Sequence, residues 1–350
     1  MNIKQSVSIC IPTYNGAQYL RECLDSVLAQ TWADYEVLLV DDQSTDETLE
    51  IAHAYAARDP RIRVLQNEHN LGLVGNWNRC IELAHGEWIK FVFQDDLIEP
   101  RCLELMIEAA TGNQSIVCCR RRFIFEEGTD AQTRQYYETH LSLDTLFPKA
   151  CEISAEDFGK AALSHIGVNF VGEPTAVMIH RSVFEKFGAF NPNLIMICDF
   201  EYWTRIAVHT GMTYVPQTLA SFRVHQGSTS AFNFSARKYR IMLDALALLH
   251  DFVFLPVYAP LRLAAARQDG VDLMQRLAEE TRGAEWVANH AAKNKENPDP
   301  ALMNEWKQFL VRYPQLAQFT RNAAPQSNLL SRVWNSLYRA GSPKPEKVDR

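Results

Sequence analysis

Three short apolar segments of this chain each end in polar or acidic residues, and this repeated pattern constrains the fold most strongly. Residues 7–11, 35–40 and 88–93 are rich in β-branched and aromatic side chains, which is typical of buried strands. They are followed directly by Thr13-Tyr14-Asn15, by Asp41-Asp42 and by Asp95-Asp96. Open parallel sheets bind ligands at the carboxyl ends of their strands, and clustered carboxylates repel unless a cation is present. The pattern therefore predicts one charged-ligand site at the strand ends.

Helical segments separate these strands. Residues 17–30 carry one apolar face, and Ser44-Thr45-Asp46-Glu47 opens a second helix with N-cap residues. A short strand at 62–65 and a helix at 76–85 follow, and Gly86 is interpreted as the cap of that helix. The βαβαβαβ order predicts an α/β fold with a parallel, doubly wound sheet.

The later sequence predicts a second half of this domain and then a change of character. Strands are expected at 175–180 and 219–224, with helices at 182–187 and 198–208. From about residue 235 the pattern is mostly helical. We therefore expect a domain of residues 1–230 in two halves, 1–115 and 116–230. Residues 231–350 form a helical C-terminal extension, whose last residues are expected to be a solvated tail.

Charge and cysteine usage exclude some classes of function. Residues 1–230 carry 18 basic and 30 acidic side chains, a net charge of −12, whereas residues 231–350 have a net charge of +5. An acidic first part argues against nucleic acid as the main partner. The eight cysteines show no CxxC pair, no basic-then-apolar leader begins the sequence, and no stretch of 18 apolar residues occurs. These features predict a cytoplasmic protein.

Four stretches of the sequence resemble family 2 glycosyltransferases of the GT-A fold. They occur in the order and spacing of that family, cover roughly residues 5–230, and are VSICIPTYNGAQYLRECLDSVLAQTWADYEVLLVDDQSTDET, NLGLVGNWNRCIELAHGEWIKFVFQDDLIEP, GEPTAVMIHRSVFEKFGAF and CDFEYWTRIA. The resemblance implies a mostly parallel, Rossmann-like sheet flanked by helices, with a nucleotide-binding half at 1–115 and an acceptor-side half at 116–230. It also implies transfer of a sugar from a nucleotide diphosphate, with UDP as the expected nucleotide.

The resemblance assigns nucleotide contacts to the strand ends. A flat aromatic ring and strand-end backbone groups suit a base, and one acidic residue of the second pair is expected to accept a hydrogen bond from the base or ribose. Asp42 is expected to cap the following helix as well. The implied nucleotide-binding residues are Pro12, Thr13, Tyr14, Asp41, Asp42, Asn78 and Asp95.

Asp95 and Asp96 resemble the DxD metal motif of the family, with Gln94 at the first position. A diphosphate repels bare carboxylates, and a divalent cation between them reverses the sign of the interaction. The family pattern implies Asp96 as the ligand of Mg²⁺ or Mn²⁺ and Asp95 as the ribose contact. His225, in FRVHQGSTS, is a further candidate for the metal site.

Asp199 is the residue that the resemblance implies as general base. An inverting transfer needs one carboxylate on the acceptor side to take the proton of the attacking hydroxyl. Glu173 and Glu201 are candidates for contacts with the donor sugar or the acceptor. Because Glu201 lies two residues after Asp199 on a predicted helix, the two side chains are expected to point roughly 200° apart.

The sequence thus predicts an inverting hexosyl- or N-acetylhexosaminyltransferase that uses a glycan or lipid-linked acceptor in surface polysaccharide assembly. The alternatives are a nucleotide-sugar pyrophosphorylase or cytidylyltransferase and a non-catalytic sugar-nucleotide or glycan-binding module. Leu330, Val333 and Trp334 begin a basic amphipathic pattern. It is compatible with peripheral contact at the inner membrane leaflet and equally with a helix packed on the protein.

Overall fold

A computed structural model of the 350-residue chain describes residues 6–110, 115–148, 150–268, 270–293 and 298–320, without the side chains of 234–236. The predicted amphipathic pattern from Leu330 lies outside these residues. The chain divides into two compact units, Met1–Ser228 and Thr229–Arg350.

The first unit is built on a central sheet. The described residues of this unit form nine strands: β1 Val7–Thr13, β2 Tyr35–Asp41, β3 Ile62–Gln66, β4 Trp88–Phe91, β5 Leu97–Ile98, β6 Ile116–Phe125, β7 Glu152–Ile153, β8 Val177–His180 and β9 Met212–Val224. The helices are α1 Leu20–Leu28, α2 Thr48–Ala56, α3 Gly72–Leu83, α4 Cys102–Ala109, α5 Ala131–Glu138, α6 Leu143–Leu146, α7 Ala155–Ser164, α8 Ser182–Phe187 and α9 Cys198–Thr210.

The sheet is mixed, with the strand order β3-β2-β1-β4-β8-β6-β9-β5, and β7 pairs with β9. The first four strands run parallel, as the βαβ pattern predicts. The second half differs from the mostly parallel prediction, because β8 runs antiparallel to both β4 and β6. Thr13 lies opposite Asp41, and Asp41 lies opposite Gln66, so the register brings these strand ends to one edge.

The centre of this sheet is buried on both faces. Every residue of β1 is buried, which explains its continuous apolar sequence. Helix α1 packs its apolar face against the same core through Leu20, Cys23, Leu24 and Val27. One charged side chain lies within this region: Lys90 of β4 is fully buried and donates from Nζ to the backbone oxygens of Phe91 and Thr175. These hydrogen bonds replace those that the ammonium group would form with water. They also join the end of β4 to the segment before β8.

Gly86 does not cap α3, because that helix ends at Leu83 with Ala84 as its C-cap. Because Gly86 has no side chain, its backbone can lie close to that of Ser8 in β1. A Cβ at this position would lie 2.4 Å from the backbone nitrogen of Ser8. The Gly86 N–H donates to Ser8 Oγ at 2.7 Å, which holds the segment before β4 against β1.

The second unit is helical over its described residues, as the composition after residue 235 predicts. Its helices are α10 Thr229–Ala236, α11 Lys238–Phe254, α12 Ala259–Ala265, α13 Leu273–Lys293 and α14 Pro300–Arg312. Among the residues with described coordinates, no single helix has both the length and the apolar composition to cross a bilayer. Lys238–Phe254 and Pro256–Ala265, bent by 77° at their junction, reach that length and composition only as a pair.

We expect Gly86→Ala to lower the free energy of unfolding by about 3 kcal/mol, because the added methyl group overpacks against rigid backbone. Gly72→Ala is the matched control. Gly72 has a φ of +75°, but no heavy atom lies within 4 Å of the point that an added Cβ would occupy, so only backbone strain of about 1 kcal/mol is expected. Urea unfolding of both variants measures the difference. Equal losses would contradict the close approach of Gly86 to β1.

Candidate active site

The loop after β1 is held in place by the turn after β2. Backbone N–H groups of Asn15, Gly16 and Ala17 donate to Ser44 Oγ at 2.9 Å, to Thr48 Oγ1 at 2.7 Å and to Asp46 Oδ2 at 3.1 Å, respectively. Asn15 adopts a left-handed φ of 48°. The hydroxyl and carboxyl groups near the start of α2, which the sequence predicts as the start of a helix, thus also hold the loop after β1 in place.

Gln94 fixes the backbone of Tyr14. Its Oε1 accepts from Tyr14 N at 2.9 Å, and its Nε2 donates to Tyr14 O at 3.1 Å. A Cβ on Gly16 would lie 2.2 Å from Gln94 Oε1, so a larger residue there would displace the Gln94 amide from Tyr14. The ring of Tyr14 stays 51% exposed. In the sequence, Gln94 is notable only because it replaces the first residue of a DxD motif. In the structure, its amide holds the backbone of Tyr14 at the edge of the sheet.

The carboxylates of Asp41 and Asp42 are both buried and both bonded within the protein. Asp41 accepts from Ser44 N at 3.0 Å and from Thr13 Oγ1 and Gln66 Nε2, each at 3.1 Å. Asp42 accepts from three groups around the start of α3: Asn67 Nδ2 at 2.8 Å, Leu71 N at 2.8 Å and Gly72 N at 2.9 Å. Asp42 therefore caps α3 rather than the helix beginning near Ser44, and Asp41 stabilises the turn at Ser44.

The side chain of Asn78 is bonded to another part of the protein, and Pro12 is buried. Asn78 donates from Nδ2 to Phe190 O and accepts at Oδ1 from Phe190 N, both at 3.0 Å. Pro12 is buried in β1 and lies opposite Val40. These bonds use one N–H and one oxygen lone pair of the Asn78 amide, so its nucleotide contact stays a prediction.

Asp96 is fully buried, and both of its carboxyl oxygens are bonded. Oδ2 accepts from Thr175 Oγ1 at 2.6 Å, and Oδ1 accepts from Arg223 N at 2.9 Å. Burial raises the pKa of Asp96 well above its usual range, and the nearby charge of Asp95 raises it further. This carboxyl joins the segment after β4 to β9 and to the segment before β8, and neither of its oxygens is exposed.

Asp95 and His225 form the more open pair. Asp95 Oδ2 and His225 Nε2 lie 2.9 Å apart, and their side chains are 20% and 10% exposed. The Arg223 side chain donates to Asp95 O at 2.9 Å and to Glu22 Oε2 at 2.7 Å. These bonds fix the backbone at Asp95. The structure thus brings together two residues that the sequence assigned to different roles.

The donor set of this pair fits a cation that also binds a diphosphate. The described parts of the chain contain no group of three or more His, Cys, Asp or Glu side chains arranged to hold a metal ion. One carboxylate and one imidazole nevertheless suit Mn²⁺, whose other ligands in phosphate-binding sites are phosphate oxygens and water. A metal held here would depend on the substrate to complete its coordination.

Asp199 lies in the first turn of α9 and is buried, with 9% of its surface exposed. Its Oδ2 accepts from Asn169 Nδ2 at 2.8 Å, and its Oδ1 accepts from Phe200 N at 2.7 Å. Burial raises the pKa of Asp199 to about 7, with a further contribution from the negative charge of Glu173. A carboxyl with this pKa exchanges protons near neutrality, as a general base must.

Asn169 positions Asp199 and the neighbouring loop together. Its Oδ1 accepts from Gly172 N at 3.0 Å, and its Nδ2 also donates to Gly172 O at 3.1 Å. Trp203 of α9 donates to the same carbonyl oxygen at 2.9 Å. No motif in the sequence indicates Asn169, because its partners lie 3 and 30 residues away and meet only in the folded chain.

Glu173 and Glu201 differ in their surroundings. Glu173 forms a 2.6 Å ion pair with Arg121, and its charge raises the pKa of both Asp96 and Asp199, so it lies near each of them. Glu201 is buried and pairs with Arg205 at 2.9 Å. As the helical spacing predicts, Glu201 and Asp199 have different neighbours. The pair with Arg205 gives Glu201 a structural contact, and its contact with substrate stays a prediction.

Comparison with known families identifies the chain. Residues 8–188 match the model of Glycosyl transferase family 2. An uncharacterized protein, MT1568 of Mycobacterium tuberculosis (strain CDC 1551 / Oshkosh), is 30% identical over 251 residues, which cover 70% of this chain and 75% of that protein. The putative glycosyltransferase EpsH of Bacillus subtilis (strain 168) is 38% identical over 122 residues, only 35% of either chain.

Two solved structures share the fold. The crystal structure of S. aureus TarS 1-349 in complex with UDP-GlcNAc has a TM-score of 0.55 at 18% identity, covering 89% of this chain and 81% of that one. The mannosyltransferase PcManGT from Pyrobaculum calidifontis, in complex with GDP-Man and Mn²⁺, has a TM-score of 0.54 at 18% identity, covering 96% and 88%.

The chain belongs to glycosyltransferase family 2, has the GT-A fold with a helical C-terminal region, and is a glycosyltransferase. The predictions of family, fold class and enzyme class are confirmed. Membership of this family favours sugar transfer over the nucleotidyltransferase and binding-module alternatives.

Substitutions of the two adjacent carboxylates are expected to lower stability by different amounts. Asp96→Ala leaves the Thr175 hydroxyl and the Arg223 N–H buried without an acceptor, so we expect a loss of about 2–4 kcal/mol in the free energy of unfolding. Asp95→Ala removes one partly exposed contact, and we expect less than about 1 kcal/mol. Chemical unfolding of the two variants under one condition makes the comparison. A stability loss confined to Asp95→Ala would contradict the structural role of Asp96.

Proposed function

We propose that this glycosyltransferase transfers a sugar, with inversion, from a nucleotide diphosphate to an acceptor hydroxyl. The observation that carries the proposal is the arrangement around Glu173. The Asp95–His225 pair and the buried Asp96 lie at the end of β4, and Asp199 lies at the start of α9 with a pKa raised to about 7. A cation-binding pair and a general base are the two groups that such a transfer requires.

The proposed nucleotide site is the edge formed after β1 and β2. Tyr14 offers an exposed ring there, on a backbone that Gln94 holds in place. The buried carboxylates of Asp41 and Asp42 fix the surrounding loops, so we propose that they act on the nucleotide through loop shape. The complexes of TarS with UDP-GlcNAc and of PcManGT with GDP-Man support a nucleotide-sugar donor. UDP is our proposed nucleotide.

We propose Asp95 and His225 as the protein ligands of a divalent cation, Mn²⁺ or Mg²⁺. This revises the sequence-based assignment, in which Asp96 held the metal and Asp95 the ribose. Asp96 is fully buried with two donors on its oxygens, whereas Asp95 is partly exposed beside an imidazole. The Mn²⁺ in the PcManGT complex supports the choice of metal. When bound, the cation would supply charge that stabilises the departing diphosphate.

We propose Asp199 as the general base that accepts the proton of the attacking hydroxyl. Asn169 and Phe200 N hold both carboxyl oxygens, so the orientation of the carboxyl group is fixed before substrate binds. The acceptor in our proposal is a hydroxyl of a glycan or lipid-linked saccharide. Hexosyl or N-acetylhexosaminyl transfer in surface polysaccharide assembly, at the cytoplasmic face of the membrane, is the corresponding role.

Nucleotide binding is tested by thermal unfolding with UDP, GDP and dTDP, each with and without Mn²⁺. We expect UDP to raise the melting temperature only when Mn²⁺ is present, because binding to the native state stabilises it. Asp95→Ala and His225→Ala should each abolish the metal-dependent part of the shift. His85→Ala, at a side chain 72% exposed, is the matched control and should retain it. A full shift in Asp95→Ala would exclude Asp95 as a ligand.

The base is tested by the pH dependence of UDP release from the donor sugar that binds, with water as the acceptor. Only ionised Asp199 accepts a proton, so we expect the rate to fall below about pH 7, where the raised pKa protonates the carboxyl. Asp199→Asn should lower the rate about 10²- to 10⁴-fold.

Glu173→Gln tests the cause of the shifted pKa. Removal of its negative charge leaves the positive charge of Arg121, which lowers the pKa of Asp199, so the acidic limb should move to lower pH. Glu185→Gln, on α8, is the control and should leave the limb in place. A limb that does not move in Glu173→Gln would show that another group titrates.

A further inference from the structure

A cavity of about 180 Å³ lies beside the proposed base and is not used by the nucleotide site described above. It is formed by residues 119–123 of β6, by α5, α6 and the residues between them, by Tyr214 of β9, and by Val171 of the loop before Glu173. Residues 120–170 have no clear period in their sequence, so no element is predicted there. The structure shows that part of this region forms one concave surface.

One wall of the cavity is aromatic. Phe123 and Tyr137 line it with ring centroids 5.2 Å apart, and Phe222 packs behind both at 6.3 and 6.0 Å. The Tyr137 hydroxyl has no hydrogen-bond partner among the described side chains and backbone groups. A rigid aromatic wall with an available hydroxyl suits a ligand that is apolar on one face and polar at its rim.

The opposite lining is polar and already ordered. Arg120 and Asp144 form a two-point ion pair, with distances of 2.9 and 2.6 Å, so both side chains are held in one orientation. His140 Nε2 lies 2.9 Å from Asn169 O, and a carbonyl can only accept, so Nε2 carries the proton. Burial lowers the pKa of His140, which keeps the ring neutral and leaves Nδ1 as an acceptor.

The cavity connects to the proposed base through one residue. Asn169 accepts from His140 with its backbone oxygen and donates to Asp199 with its side chain at 2.8 Å. Arg121 also lines the cavity and forms the ion pair with Glu173. A molecule in the cavity therefore lies next to the loop that positions Asp199.

We propose that this cavity binds one saccharide residue of the acceptor, stacked on Phe123 and Tyr137. The proposal rests on the proposed function and assigns a binding site to its saccharide acceptor. The volume is below the roughly 300–1,000 Å³ typical of sites for drug-sized molecules, which suits a single sugar ring rather than a nucleotide. The C–H face of the ring contacts the aromatic wall. Its hydroxyls bond to Tyr137, to His140 Nδ1 and to the Arg120–Asp144 pair.

Binding is measured on the full chain by saturation-transfer NMR with methyl glycosides of glucose, galactose and N-acetylglucosamine. Ser142→Trp fills the cavity from its rim, and Ser142 makes no side-chain cap bond to α6. Tyr137→Phe removes one hydroxyl and keeps the wall. Tyr55→Phe is the control, because its hydroxyl bonds Asp25 at 2.7 Å, outside the cavity.

We expect at least one glycoside to bind the wild type and Tyr55→Phe. Ser142→Trp should abolish this binding, and Tyr137→Phe should weaken it about 3- to 10-fold, the effect of one neutral hydrogen bond. Both variants should retain the thermal shift with UDP and Mn²⁺. Unchanged glycoside binding in both variants, or no binding of any glycoside to the wild type, would overturn the proposal.

A comparison of UDP with UDP-GlcNAc separates the acceptor from the donor sugar. If Ser142→Trp removed only the additional stabilisation that UDP-GlcNAc gives over UDP, the donor sugar would occupy the cavity and the proposal would be overturned. A wild-type chain that showed no shift with any nucleotide would instead refute the proposed function. The glycoside measurement would still decide whether the cavity binds sugar.

Discussion

The buried carboxyl of Asp96 is the contact on which the geometry of the candidate site depends. It follows β4 in the parallel half of the sheet and accepts from Thr175, before β8, and from Arg223, in β9. Lys90 reinforces the same junction by donating to Thr175 O from within β4. A buried polar group that is fully paired specifies one arrangement, because any other leaves donors without acceptors. Asp95 and His225 are brought within 2.9 Å of each other by strands joined in this way.

The acidic residues of the candidate site are of two kinds. Some stabilise the surrounding structure, and others are available for chemistry. Asp41, Asp42 and Asp96 are buried, and their oxygens accept from groups within the protein. Asp95 has a partly exposed side chain, and Asp199, although also bonded within the protein, keeps 9% of its surface exposed and has a pKa raised to about 7. These are the carboxyls suited to chemistry in our proposal. The supporting carboxylates fix loops, and the loops present the remaining groups. This division explains why so many acids meet at one edge, since most of them are neutralised by hydrogen bonds rather than by a ligand.

Much of the parallel half of the sheet was predictable from local sequence. The continuous apolar segments at β1, β2 and β4 and the amphipathic face of α1 all correspond to elements of the structure. The antiparallel strand β8 and the single long strand β9 could not be placed in the sheet, because strand order depends on pairings between distant segments. The role of Gly86 was also misassigned. Its need for a bare Cα comes from Ser8, 78 residues away, and not from the adjacent helix.

By itself, the sequence determined the family, the fold class and the residue types at the strand ends, because these follow from motif order and from periodicities within single elements. Only the tertiary structure decided which carboxyls are buried and which remain available. Asp95 and Asp96 are neighbours in the chain, yet one lies beside His225 and the other accepts from Thr175 and Arg223. The same holds for Asn169 and the cavity next to it. Burial and hydrogen-bond partners depend on residues that folding brings together from distant positions, and this information is absent from any local pattern.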